Sequence, residues 1–144
     1  MLNQLLAGGL VSLVNFGIHA VMTGIVVVTT RRIAGATDEL HVFMRVSALI
    51  LVTVTALTLT HVVEIGAWAL FLTLAGVTAQ NLSAFEFAFE NYVALGYGDV
   101  VAADGWRLIG PIMALNGLLL IGWSVAIIFE VMRMAELGFG KRGG

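Results

Sequence analysis

The amino-acid sequence predicts an all-α integral membrane protein with three membrane-spanning helices and one shorter, re-entrant helix. Of its 144 residues, 60% are hydrophobic and only 11% are charged, whereas a soluble domain has about 25% charged residues. Three long apolar stretches contain most of the chain, and each exceeds the roughly 20 residues that a spanning helix needs. The segments between them are too short to form a separate soluble domain.

The composition also excludes several classes of function. The sequence has no cysteine, which removes disulfides and thiolate metal sites. Its net charge of −2 does not supply the basic surface of a nucleic-acid-binding protein, and no pattern of catalytic residues points to an enzyme. One such chain is too small to enclose an aqueous pathway, so any transport function implies an oligomer.

The first apolar stretch, Leu5 to Thr29, contains no charged residue, and the first basic pair, Arg31 and Arg32, follows it. A cleaved signal peptide is the alternative, but it would carry its basic residues before the apolar core. The order of the charges therefore favours a retained spanning helix with its N-terminus outside. Because this helix has no arginine ladder, we do not expect it to sense voltage.

Two further apolar stretches predict the second and third spanning helices. The second runs from about Val42 to Gly76 and carries His61 and Glu64 within its apolar sequence. The third, Leu108 to Phe129, is uncharged and has Pro111 in its first turn, where the missing N–H costs little. Both stretches are long enough to cross a bilayer.

The positions of Lys and Arg predict how the chain crosses the membrane, because short cytoplasmic loops are enriched in them. One basic group lies in the loop after the first helix, and another follows the last helix. Both are cytoplasmic if two spans separate them, which places the C-terminus inside and leaves only Arg107 outside. The segment between the second and third spanning helices must then leave and return on the outer side.

That segment, residues 81–105, contains a short predicted helix. From Ser83 to about Val93 the helix would be about 16 Å long, which is too short to span and therefore indicates a re-entrant element. Ser83 and Glu86 fit the capping-box pattern of a helix start. Residues 85–90 also alternate with the period of a strand, but a lone strand would leave its backbone groups unpaired in hydrocarbon.

A six-residue motif follows the short helix: Ala94, Leu95, Gly96, Tyr97, Gly98 and Asp99. With its place between two spanning helices, the motif resembles the pore loop of the potassium-channel superfamily, which reads T-V-G-Y-G-D. The resemblance covers about residues 42–134 and is closest to small bacterial channels with two transmembrane helices, to which this sequence adds an N-terminal helix. It implies a pore helix, a selectivity filter and an inner helix, assembled as a homotetramer.

The resemblance further implies a potassium-selective channel of the plasma membrane, of the bacterial inner-membrane type. The backbone carbonyls of residues 94–97 would hold the potassium ions, and no organic cofactor is expected. Such a filter needs consecutive carbonyls that face one axis, which requires alternating backbone handedness and suits Gly96 and Gly98. Without the resemblance, the sequence indicates only that the transported ion is a cation. The expected partners are lipid, monovalent cations and three further copies of the chain.

Two residues near the motif have specific expected roles. Ala94 stands where the superfamily usually has Thr, so the innermost ion site lacks a ring of hydroxyls and is expected to bind ions more weakly. By resemblance, Glu90 supports the filter by sharing a proton with Asp99, because two close carboxylates cannot both ionise cheaply. The alternative is that Glu90 faces a watery outer crevice.

The resemblance also assigns roles along the last spanning helix. Gly117 is expected to be a gating hinge and Gly122 a close-packing contact, although small residues are also common at ordinary helix interfaces in lipid. Four further residues are expected to line the cavity or its inner constriction: Leu118, Ile121, Val125 and Phe129.

His61 and Glu64 share a helix face, and ionisable residues inside a span are functional hypotheses by default. They would sense protons or bind a divalent metal, with His19 as a third ligand, although a closed zinc site has four. The structural alternative, a neutral His and Glu hydrogen-bonded between helices, is favoured because two residues specify little. These residues carry the second functional hypothesis, a non-conducting or weakly selective membrane sensor on the same fold.

The predicted organisation has three parts. Residues 1–41 form the N-terminal helix and a cytoplasmic loop, residues 42–134 form the pore domain, and residues 135–144 form a short cytoplasmic tail. At the cytoplasmic end of the last helix, Glu130 and Arg133 are expected to form an exposed ion pair.

Overall fold

The computed structural model describes residues 1–36, 42–78, 84–97 and 102–140, and every regular element in them is an α-helix. Three helices are long and apolar enough to cross a membrane, over Leu2–Ile33, Phe43–Leu74 and Ile109–Ala135. The predicted class, a multi-pass all-α membrane protein with three spans, is confirmed. The four helices in chain order are α1 (Leu2–Ala36), α2 (Val42–Leu74), α3 (Ala84–Tyr92) and α4 (Ile109–Gly140).

The long helices differ most from the prediction at their ends. α1 continues beyond Thr29, and α4 continues past Phe129 to Gly140, because a charged residue ends an apolar span without ending a helix. In α4, Arg133 donates to Glu130 one turn earlier, with a closest N–O distance of 2.8 Å, which supports the helix beyond its apolar part. The expected exposed ion pair is therefore confirmed.

The helices pack so that α3 lies against both α2 and α4, while α1 covers α2 and α4 from another side. The main hydrophobic core surrounds α3, whose Phe87 and Ala88 are buried against Trp68 of α2 and Met113 of α4. A smaller apolar cluster around Leu49 lies towards the other end of the long helices. This arrangement fixes α3 between two long helices.

The side chain of Gln4 ties the start of α1 to the start of α4. Its Nε2 donates to the carbonyl of Gly105, and its Oε1 accepts a hydrogen bond from the Leu108 N–H at 3.0 Å. The N-terminus of α1 therefore lies on the same side of the bundle as the segment that leads into α4. This is the relative arrangement that the charge pattern predicts, and the orientation in the cell stays a prediction.

Candidate functional site

Residues 85–90, which alternate like a strand in the sequence, belong to the helix α3. The helix buries one face, with Phe87, Ala88 and Tyr92 inside the core, and leaves Phe85 and Phe89 partly exposed. A helix satisfies its own backbone groups, whereas a single strand here would not. Ser83 lies outside the described residues, so the predicted capping box stays a prediction.

The first residue of the motif ends α3 in a Schellman arrangement. The N–H of Leu95 donates to the Glu90 carbonyl and the N–H of Ala94 to the Asn91 carbonyl, each at 2.9 Å. Ala94 has φ 55°, the left-handed conformation that this cap requires and that glycine usually supplies. The end of α3 and the start of the motif are therefore one structural unit.

The backbone of the motif alternates in handedness beyond this cap. Ala94 and Gly96 have φ of 55° and 57°, while Leu95 and Tyr97 have negative φ. The side chains of Leu95 and Tyr97 are 50% and 66% exposed in the single chain. Gly98 and Asp99 lie outside the described residues, so the expected pairing of Glu90 with Asp99 stays a prediction.

α4 approaches α3 most closely at Gly117. A Cβ built on Gly117 would lie 1.9 Å from the carbonyl oxygen of Tyr92, whereas a Cβ on Gly122 would meet no described atom within 4 Å. Within the described chain, Gly117 is therefore a close-packing contact, because the end of α3 lies against that turn of α4, and the contact expected at Gly122 stays a prediction.

The four residues expected to face a cavity differ in their surroundings. In the single chain, Ile121 is partly buried and packs against the core around α3. The side chains of the other three are 48% to 67% exposed: Leu118, Val125 and Phe129. This exposure leaves most of the expected cavity face of α4 available to an ion pathway or to another subunit.

A buried polar cluster, centred on the carboxylate of Glu64, lies between the four helices. The side chains of Glu64 and His19 are fully buried, and that of His61 is 18% exposed. His19 Nδ1 lies 2.9 Å from Glu64 Oε1, and His61 Nδ1 lies 2.9 Å from Glu64 Oε2. The hydroxyl of Tyr92 donates to Glu64 Oε2 at 2.5 Å. The carboxylate thus joins α1, α2 and α3.

The same cluster reaches α4 through Ser124. Its Oγ lies 2.9 Å from His61 Nε2 and 3.5 Å from His19 Nε2. One hydroxyl therefore lies within reach of the outer nitrogens of both imidazole rings. Hydrogen bonds of this kind are what the structural alternative expected, and the arrangement also brings three potential metal ligands together.

A layer of amides extends the cluster along the helices. Asn15 Nδ2 donates to Asn116 Oδ1 at 3.1 Å and to the backbone carbonyl of Glu64 at 3.2 Å. Trp68 Nε1 donates to the same Asn116 oxygen at 3.0 Å. The side chains of Asn15, Trp68 and Asn116 therefore connect α1, α2 and α4 beside the Glu64 cluster.

Sequence reasoning identified three members of the cluster and missed Tyr92, Ser124 and the two asparagines. A signal for them does exist, because Asn15 and His19 are four residues apart and Asn116 and Ser124 are eight apart, so each pair lies on one helix face. Matching such polar stripes between apolar helices would have found most of the cluster.

A sequence model of the ion channel family matches residues 58–134, which is more than half of the chain and includes α3, the motif and most of α4. The chain belongs to this ion channel family. The resemblance to the potassium-channel superfamily is thereby confirmed, and membership indicates a transport role rather than a catalytic one. No curated protein and no solved structure matches the chain. Helix α1 and the first part of α2 lie outside the matched region of this channel.

Proposed function

We propose that this ion channel conducts potassium through a filter formed by residues 94–97 of four subunits. The observation that carries the proposal is the alternating handedness of this segment directly after α3, with positive φ at Ala94 and Gly96 and negative φ at Leu95 and Tyr97. Alternation turns successive carbonyls towards one side, where together they replace the water shell of an ion. The Gly-Tyr-Gly-Asp sequence supports potassium as that ion.

The surroundings of the segment support an oligomeric pore. Non-helical backbone at membrane depth is tolerated only where it is buried in protein or lines a watery cavity, and in the single chain Leu95 and Tyr97 are largely exposed. Neighbouring subunits would cover these side chains and complete the ring of carbonyls. A homotetramer supplies four such segments, as the superfamily implies.

The end of α3 supports a cation in the pathway. The C-terminal end of a helix carries a partial negative charge, and α3 ends next to the first filter residue, Ala94. Glu90, which is half-buried one turn before the filter, is the residue we assign to filter support. Along α4, Gly117 is the proposed pivot of gating, and Phe129 is the proposed inner constriction.

The charge pattern supports a plasma-membrane channel with its filter on the outer side. We place the N-terminus outside and the C-terminus in the cytoplasm, and bacterial inner membrane is the membrane type that the resemblance implies. The link from Gln4 to Leu108 supports this arrangement, because it keeps the N-terminus on the side of the segment before α4.

Uptake of radioactive rubidium into liposomes that contain the purified protein tests this proposal. We expect uptake that external potassium competes with and sodium does not. Gly96→Ala is expected to lower it at least tenfold, because a side chain in the filter disturbs the ring. Gly76→Ala is the matched control, since Gly76 also has a positive φ, of 62°, but lies in the turn after α2. Its uptake is expected to match the wild type.

Absence of uptake from an intact tetramer would contradict the channel proposal and favour the second candidate, a non-conducting sensor. Equal competition by sodium would contradict potassium selectivity alone. The buried cluster of His19, His61 and Glu64 is the observation that keeps the sensor in consideration. The cluster is also compatible with a conducting channel.

A further inference from the structure

Three side chains of the types that bind transition metals meet inside the helix bundle. One ligand atom from each of His19, His61 and Glu64 lies within 4.8 Å of the others. The two imidazoles come from different helices, and each presents its Nδ1 to a different oxygen of the same carboxylate at 2.9 Å. We propose that these three residues form a binding site for a zinc ion.

The donor set favours zinc over the common hard cations. Imidazole nitrogen and carboxylate oxygen are ordinary zinc ligands, whereas magnesium and calcium take oxygen ligands almost exclusively. In a tetrahedral zinc site with bonds of about 2.0–2.1 Å, the donor atoms lie about 3.3 Å apart. Each nitrogen is already within a few tenths of an ångström of this separation from a carboxylate oxygen, and ligand atoms that are 4.8 Å apart at most have to approach each other by about 1.5 Å at most.

The hydroxyl of Tyr92 lies beside the three ligands. Its oxygen lies 2.8 Å from His61 Nδ1 and 2.5 Å from Glu64 Oε2, so it borders the same space as the three ligands. The two histidines and the glutamate are three protein ligands, which leave a fourth position for water, as in open zinc sites. The Tyr92 hydroxyl, which donates to Glu64 Oε2, then positions the carboxylate ligand.

The outer nitrogens of both rings have a suitable partner. When Nδ1 of each imidazole binds the metal, Nε2 of each ring carries a hydrogen and needs an acceptor. Ser124 Oγ lies 2.9 Å from Nε2 of His61 and 3.5 Å from that of His19, and a hydroxyl oxygen has two lone pairs to accept them. Ser124 is therefore a positioning residue for both ligands.

Charge and access also support an ion at this site. An ionised carboxylate buried as fully as that of Glu64 is stabilised by a cation nearby, and zinc supplies one. His61 borders a pocket that also touches Thr58, Val62 and Phe89, so one ligand reaches the surface of the single chain. A proton on one imidazole would supply a similar charge, and the experiment below separates the two.

Zinc at this site would affect the pore through Tyr92. This residue is two positions before Ala94, its hydroxyl donates to Glu64 and its carbonyl lies against Gly117, so a metal held by Glu64 and His61 fixes the contact between α3 and α4. It also attaches α1 to the pore domain. We therefore expect bound zinc to change ion flux, a consequence that rests on the proposed channel function, whereas the metal site does not.

Zinc binding is measured by equilibrium dialysis of the purified tetramer, followed by elemental analysis. The protein is purified with an affinity tag that contains no histidine, and the tag is removed before the measurement. We expect one zinc ion for each chain. His19→Gln and His61→Gln, which keep hydrogen-bonding groups but lose the imidazole, are each expected to weaken binding at least a hundredfold. Ser124→Ala is expected to weaken it 10- to 100-fold, the usual effect of losing a partner of a metal-binding histidine.

His41→Gln is the matched control, because His41 is the remaining histidine of the sequence and is not a proposed ligand. We expect it to bind zinc like the wild type. Replacement of zinc by cobalt provides a second readout, since four-coordinate cobalt with nitrogen and oxygen donors gives a characteristic visible absorption. That absorption should be present in the control and absent in His19→Gln.

The proposed site would be overturned if the wild type bound zinc no more tightly than the two histidine variants. It would also be overturned if the cluster took up a proton but no metal. Unchanged zinc content in His19→Gln would also contradict it. If zinc binds as expected and rubidium uptake does not respond, only the effect on the pore is wrong. Absence of uptake with and without zinc counts against the channel proposal and leaves the metal site standing.

Discussion

The carbonyl oxygen of Tyr92 lies against Gly117, where a Cβ atom would stand only 1.9 Å away from it. The end of α3 can therefore contact the backbone of α4 only if residue 117 has no side chain. Gly117→Ala is expected to push the two helices apart, and overpacking of this kind typically costs about 1–3 kcal/mol. We expect a lower midpoint of thermal unfolding in detergent and reduced rubidium uptake.

Gly66→Ala is the control for this change. Gly66 lies inside α2, and a Cβ there meets no described atom within 4 Å. Because alanine favours a helix over glycine by roughly 1 kcal/mol, the unfolding midpoint should stay the same or rise. Equal unfolding midpoints for Gly117→Ala and the wild type would show that the contact with the Tyr92 carbonyl tolerates a side chain at residue 117.

Much of this fold is predictable from local features of the sequence. The three spans follow from composition. The re-entrant helix follows from the shortness of a segment that has to leave and return on the outer side of the membrane. The helix ends were less predictable, because Phe129 ends the apolar part of α4 while Glu130 and Arg133 continue the helix as an ion pair. Hydropathy reports the solvent of a residue and not the hydrogen bonding of its backbone.

The polar cluster was harder to predict, since it depends on how helices rotate against each other. His61 and Glu64 lie on one helix and were visible as a pair, but the contact of His61 with Ser124 joins residues 63 positions apart. No local pattern places two such residues together. The position of Gly117 against Tyr92 was missed for the same reason, because the resemblance indicates spacing along α4 and not which turn meets α3.

Glu64→Gln is expected to destabilise the channel strongly. The carboxylate of Glu64 faces His19, His61 and the hydroxyl of Tyr92 within 2.5–2.9 Å, and an amide group would direct an N–H towards one of these donors. A buried hydrogen-bonding group that loses its partner costs about 1–3 kcal/mol. The loss should be seen as a lower unfolding midpoint and a smaller fraction of intact oligomer in detergent.

The same substitution at Glu130 serves as the comparison. Glu130 pairs with Arg133 on the exposed part of α4, and exposed pairs contribute little because water and salt screen them. We expect Glu130→Gln to leave the midpoint almost unchanged. A similar loss in both variants would mean that the burial of Glu64 does not matter to stability.

Gln4→Leu tests the link between α1 and α4. The leucine has a similar volume but neither accepts from the Leu108 N–H nor donates to the Gly105 carbonyl, and each lost hydrogen bond costs about 1 kcal/mol. We expect faster hydrogen exchange at the Leu108 amide and a modest fall in the unfolding midpoint. Asn3→Leu, at an exposed neighbouring position, should change neither the exchange rate nor the midpoint. If the Leu108 amide still exchanges slowly in Gln4→Leu, the link is contradicted.

Ala94 has a conformation that explains why alanine suits this position better than the threonine usual in the superfamily. Its φ of 55° closes the cap of α3, and β-branched residues adopt this region only with strain. Glycine adopts it freely, and an alanine there costs about 1–2 kcal/mol. Ala94→Gly should therefore raise the unfolding midpoint, whereas Ala94→Val and Ala94→Thr should lower it.

The same position separates backbone strain from ion binding, because serine adds a hydroxyl without a β-branch and valine adds the branch without a hydroxyl. If the innermost ion site lacks a hydroxyl ring, block of rubidium uptake by barium should strengthen in both Ala94→Ser and Ala94→Thr. It should be unchanged in Ala94→Val, although that variant unfolds at a lower temperature. Equal barium block in the wild type, Ala94→Ser and Ala94→Thr would show that carbonyls alone set the affinity of this site. Stronger block in Ala94→Val would mean instead that the backbone at residue 94, and not its side chain, determines how ions are held.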